Sequence, residues 1–146
     1  MNDETIDDRS DGGIDDVDSA GERFETVLCD LDGVVWLAHD PIPGSVDAVD
    51  RLRQHGRRVL FVTNNSMSLV GEQEAALERI GIPAAGDVVT SAMAGAALVD
   101  PGERVLVAGG PGVIEAVRAR GATAIVNDGG RDLGRFDAVV VGLHRD

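Results

Sequence analysis

Short apolar runs alternate with amphipathic stretches from residue 24 to residue 142, and that alternation leaves this chain few ways to fold. The runs suit strands buried in a parallel sheet, while the stretches between them repeat apolar residues at helical spacing. The pattern predicts strands at 24–29, 58–62, 88–90, 104–108, 123–126 and 137–142. A first helix is expected behind Ser45 as its cap, with Val46, Val49 and Leu52 sharing a face and Gly56 as the stop. Ser68 is read as the cap of a second, carrying Leu69, Gln73, Ala76, Leu77 and Ile80 to Gly81. Ser91 is read as the cap of an alanine-rich third that closes near Pro101, and a fourth covers 113–120. Such βα grammar gives an α/β fold, with Pro101-Gly102 as its natural boundary.

The segment Val27-Leu28-Cys29-Asp30-Leu31-Asp32-Gly33-Val34-Val35-Trp36 carries the chemistry. A strand leaving a parallel sheet delivers its next side chains to the carboxyl edge, where α/β proteins bind ligands. Side chains two apart on extended backbone point the same way, so Asp30 and Asp32 are expected to converge. Two carboxylates that close repel each other unless a cation sits between them or one is protonated. Either remedy suits phosphate chemistry. Cys29, the lone cysteine, reads as a small core residue and excludes an internal disulfide.

Composition narrows the class further. A chain of 146 residues holds one domain, or one domain and part of another. Its net charge of −13 argues against nonspecific binding to nucleic acid or an anionic membrane. Much of that charge is local, since residues 1–25 carry ten acidic groups against Arg9 and Arg23. Residues 1–23 are accordingly expected to be a disordered acidic tail. No run is long enough to span a bilayer and the amino terminus is acidic, so a cytoplasmic address is expected. All thirteen cationic side chains are arginine.

The string Asp30-Leu31-Asp32-Gly33-Val34-Val35 resembles the first motif of haloacid dehalogenase-type phosphatases. Trp36 and Pro41-Ile42-Pro43-Gly44 resemble the class IIA, 4-nitrophenylphosphatase-like and pyridoxal phosphatase-like branch. Phe61-Val62-Thr63-Asn64-Asn65-Ser66 is similar to the second motif of that branch, and Val89-Thr90-Ser91-Ala92 follows as its pattern requires. The resemblance implies a Rossmann-like core beginning at residues 24–102, and the truncated start of an α/β cap domain at 103–146. It also implies a Mg²⁺-dependent phosphomonoester hydrolase in which Asp30 is the nucleophile, forming an aspartyl-phosphate, and Asp32 the general acid and base. Mg²⁺ would be held by Asp30 and Asp32, the latter through its backbone carbonyl. Thr63, Asn64, Asn65 and Gly33 would contact the phosphate, with Thr63 donating its hydroxyl and Asn64 its amide. The partner implied is a small phosphorylated metabolite, and the chain is a possible homo-oligomer.

The chain also departs from the family pattern. The third motif's lysine is absent, as is the fourth motif's acidic cluster, and the sequence stops soon after Asp137. The expectation is an amino-terminal portion with little activity by itself. The alternative is a catalytically inactive phosphate-binding or interaction module. A phospho-accepting regulatory domain would need an acidic pair closing an earlier strand, and Asp15-Asp16 has no strand before it. Ala108-Gly109-Gly110-Pro111-Gly112 departs from G-x-G-x-x-G, and Pro111 lacks a donor, so a tight turn is expected there. His39, His55 and His144 have no partner at metal-ligand spacing and read as surface or loop, with His144 placed where a cap residue approaches substrate.

Overall fold

The computed structural model describes residues 24–126 and 133–144. The tail expected over 1–23 lies outside the described residues. Three strands, β1 (Thr26–Asp30), β4 (Arg58–Thr63) and β5 (Val88–Thr90), form a parallel sheet in the order β1-β4-β5. Between β1 and β4 come a two-stranded antiparallel hairpin, β2 (Trp36–Leu37) and β3 (Asp40–Pro41), and helix α1 (Ser45–Gln54). Helix α2 (Val70–Arg79) joins β4 to β5, and α3 (Ser91–Ala96) leaves β5. A second parallel sheet has the order β7-β6-β8, built from β6 (Arg104–Ala108), β7 (Thr123–Val126) and β8 (Ala138–Val141), with α4 (Pro111–Ala119) between β6 and β7.

Each sheet has one buried face. In the first, Val59, Phe61 and Val88 meet Val49 of α1, Ala76 and Leu77 of α2, and the anchors Leu31 and Trp36. The alternation of the strands puts Leu28 on the other face, 67% exposed, and Phe24 just before β1 is 62% exposed. The residues from Phe24 to Leu28, expected to be a buried strand, are therefore covered on one side alone, because α1 and α2 pack on the same face. In the second sheet Val105 and Val107 are buried, whereas Val139 and Val141 are exposed.

Helix α3 belongs by packing to the second sheet. Ala92, Ala96 and Val99 join Val105, Val107, Val113 and Val117 in one cluster, although all three precede Pro101-Gly102. Its amino end is fixed from the first sheet, because Thr90 closes β5 and its hydroxyl accepts from the Met93 amide at 3.2 Å. Thr90, not Ser91, is thus the cap. Thr90→Val keeps the buried volume and deletes that acceptor. It is expected to lower stability by about 1–2 kcal/mol, read from the urea unfolding midpoint.

The other two caps also differ from expectation. Gly44 precedes α1, and the Ser45 hydroxyl donates to the Val35 carbonyl at 2.8 Å instead. Leu69 precedes α2, whose free amides find acceptors in Glu72, at 3.0 Å from Leu69 N, and in Glu115 of α4, at 2.9 Å from Val70 N. The fourth helix starts two residues early, because Pro111 sits in its first turn, where a missing N–H is harmless.

Candidate active site

The parallel register brings the carboxyl ends of β1, β4 and β5 to one edge. Asp30 pairs with Val62, and Thr63 pairs with Thr90. Asp30 is the last residue of β1, and the chain then folds around the Leu31 carbonyl, which accepts from Val35 at 3.0 Å and Trp36 at 3.1 Å. Leu31, Val35 and Trp36 are buried to 1% exposure or less and anchor this turn. Asp30 and Asp32 alternate with Leu31 and stay exposed at its rim. Gly33, at φ +87°, turns the chain back, and its amide donates to the Trp36 carbonyl at 2.8 Å.

Both carboxylates are held by one oxygen. Asp30 Oδ1 accepts from the Leu31 amide at 3.0 Å, and Asp32 Oδ1 accepts from the Trp36 indole N–H at 3.0 Å. Among the described residues no cationic side chain pairs with either; the Arg58–Asp87 ion pair lies elsewhere. Trp36 is in turn covered by the ring of His39, 4.9 Å away. The sequence marked Trp36 as a motif residue, but its hold on Asp32 depends on the turn bringing positions 32 and 36 together. That contact had no signal in spacing alone. Burial pushes the Cys29 thiol above its usual range, and the adjacent Asp30 charge adds to this, so Cys29 is a protonated packing residue at neutral pH.

Across the edge, Thr63 is buried, and its hydroxyl oxygen accepts from the Asn65 amide at 3.1 Å, leaving its hydrogen to donate. Asn64 is exposed, and its carbonyl accepts from the Ser91 hydroxyl at 2.9 Å. Asn65 is engaged within its own loop: Oδ1 accepts from Met67 N at 3.0 Å and Ser68 N at 3.3 Å, while Nδ2 donates to Ser68 Oγ. Of the four residues expected to contact phosphate, Thr63 and Asn64 thus present groups at the edge. The Gly33 amide organises the turn that follows Asp30 and Asp32, and the Asn65 side chain the loop that follows Thr63 and Asn64.

A family model for haloacid dehalogenase-like hydrolases matches residues 27–123, a span that takes in both loops. The chain belongs to the haloacid dehalogenase-like hydrolases. The chain is 38% identical over 130 residues to D-glycerol 3-phosphate phosphatase of Mycobacterium tuberculosis, the match covering 86% of this chain and 35% of that protein. It is 34% identical over 126 residues to an acid sugar phosphatase of Staphylococcus saprophyticus, covering 84% and 46%. Chronophin of Mus musculus is 34% identical over 130 residues, with coverage of 82% and 44%. Among solved structures, glycerol phosphate phosphatase from Mycobacterium tuberculosis in complex with magnesium superposes with a TM-score of 0.72 at 36% identity, covering 84% of this chain and 37% of that one. The chain therefore spans less than half the length of each of these relatives.

Two further expectations bear on the surroundings of the edge. The glycine turn after β6 is tight, as its sequence required, and its amides bond to protein carbonyls: Gly110 N to Leu143 O and Gly112 N to Met67 O. No helix among the described residues is long and apolar enough to cross a membrane.

Proposed function

We propose that this chain transfers the phosphoryl group of a small phosphomonoester to Asp30, with residues 103–146 as the beginning of a substrate-covering cap. The observation that supports it is the pairing at the end of β1. Asp30 and Asp32 each have one oxygen fixed by an N–H and the second without a protein donor among the described residues. A fixed carboxylate with a free oxygen is an oriented nucleophile.

In the reaction, the free oxygen of Asp30 attacks phosphorus and the ester P–O bond breaks. Asp32 in its acid form gives its proton to the departing alcohol oxygen. Asp32, now a carboxylate, takes a proton from water as that water attacks phosphorus, and the Asp30–phosphate bond breaks to release inorganic phosphate. The Thr63 hydroxyl and the Asn64 amide donate to phosphoryl oxygens, and Asn65 and Gly33 hold the loops in register.

A divalent cation fits this edge. Two exposed carboxylates lie two residues apart with no cationic side chain paired to either among the described residues, and Mg²⁺ is commonly held by one or two carboxylates, with water and phosphate completing its shell. Asp30 and the Asp32 carbonyl would hold it. Among the described residues no cluster of three or more His, Cys, Asp or Glu supplies a fuller ligand set. When bound, it would neutralise charge on the phosphoryl oxygens.

The test is phosphate release from an aryl phosphate by the chain with and without Mg²⁺. Slow, metal-dependent release supports the reading. Phosphate binding without turnover by a folded sample would instead assign an inactive binding module. Trp36→Phe provides a second check. Removing the indole donor leaves Asp32 unsupported, and kcat is expected to fall about 10- to 100-fold with a smaller change in KM.

A further inference from the structure

The segment that follows Thr63-Asn64-Asn65 is held largely by the other sheet. Leu143 N, just past β8, donates to Ser66 Oγ at 2.7 Å. Gly112 N, in the first turn of α4, donates to Met67 O at 2.8 Å. Glu115 of the same helix accepts from Val70 N at 2.9 Å. Three hydrogen bonds thus reach residues 66–70 from parts of the chain 45–77 positions away. Ser66 is 7% exposed, so its bond to Leu143 is shielded from water.

The glycines at this contact are set by space. A Cβ on Gly112 would lie 2.7 Å from the Ser66 carbonyl and 3.1 Å from the Met67 carbonyl, and would also overlap the Ser68 carbonyl. A Cβ on Gly142 would lie 2.5 Å from Val113 Cγ2 and 2.8 Å from Ser66 Oγ. The carbonyls are backbone atoms and cannot swing aside, so any larger residue at position 112 displaces the 66–68 backbone itself. That displacement runs directly into Asn65, whose side-chain oxygen bonds Met67 N and Ser68 N and whose amide bonds the Thr63 hydroxyl.

We infer that residues 66–70 are a joint through which the second sheet sets the geometry of the Thr63–Asn65 loop, with Ser66, Gly112 and Glu115 as positioning residues. The inference rests on reading Thr63–Asn65 as the phosphate-contacting loop. Its consequence is that movement of the β6-α4-β8 unit changes phosphate affinity without any residue of that unit touching phosphate.

The test uses amide hydrogen exchange and amide chemical shifts of the ligand-free chain, with titration of inorganic phosphate in the presence of Mg²⁺ alongside. Ser66→Ala and Glu115→Ala each remove one bond without adding bulk, Gly112→Ala adds the clash, and Gly71→Ala, where a Cβ meets nothing within 4 Å, is the control. Ser66→Ala and Glu115→Ala are expected to speed exchange at Asn64 and Asn65 about five- to tenfold, with Val59 and Phe61 unchanged and a parallel loss of phosphate affinity. Gly112→Ala gives the larger shift. Exchange that changes at Leu143 or Val70 but not at Asn64 and Asn65 overturns the joint, as does an equal rise across the whole core. Should the loop amides respond while the unsubstituted chain shows no phosphate binding, the joint stands and the phosphate reading fails.

Discussion

Asp30→Asn is expected to remove metal-dependent phosphate release entirely, a loss of about 10⁴-fold or more against the unsubstituted chain. The substitution is nearly isosteric and Asp30 is exposed, so folding should be untouched. An amide oxygen can still accept from Leu31 N, which preserves the local geometry. What disappears is the anionic oxygen proposed to attack phosphorus, and with it one of the two charges that would attract Mg²⁺. Mass spectrometry of acid-quenched samples provides the companion measurement, because a phosphoryl group should be trapped on the unsubstituted chain and absent from the variant. Residual turnover in the variant at the original rate would reassign the nucleophile.

Phe61→Ala is expected to reduce stability by about 3–5 kcal/mol, enough to unfold much of the population of an ordinary domain. Phe61 has no exposed surface and stands at the middle of β4, paired with Cys29 on one side and Val88 on the other. Its ring also carries the Arg53 guanidinium at 5.8 Å from the centroid. Truncation opens a cavity between the sheet and the helices that pack on it. Phe61→Leu, which keeps most of the volume, should lose far less. Urea denaturation followed by circular dichroism measures both. A midpoint for Phe61→Ala within error of the unsubstituted chain would mean the buried face is not the folding core.

The strand order along the chain was legible because apolar runs bounded by glycine and proline report burial directly. The exposure of Asp30 and Asp32 on either side of the buried Leu31 was legible for a similar reason, since alternation on an extended chain is a local rule, and the parallel pairing sets Thr63 next to the residue opposite Asp30. The caps were misread where a serine had a better partner far away. Ser45 bonds Val35 and Ser91 bonds Asn64, contacts that span 10 and 27 positions. Propensity describes a residue's local options and is silent about such partners. The hold of Trp36 on Asp32 and the glycine contacts at 112 and 142 were hidden likewise, since each exists only once distant backbone segments meet. The single-sided cover of β1 escaped because an apolar run shows that burial is wanted, whereas which faces are covered depends on where the helices land.

Helix α3 starts on the last residue of one sheet and fills the core of the other. A dissection of this chain at Pro101-Gly102, the joint that composition suggests, would strip Ala92, Ala96 and Val99 from the hydrophobic cluster they complete. The piece left behind would expose three apolar side chains, and the piece removed would lose its roof. A cut before Thr90 keeps those side chains with the second sheet but removes from the first the end of β5 that pairs with Thr63. The two halves therefore share a spine, and neither is a module that can be exchanged without rebuilding the other.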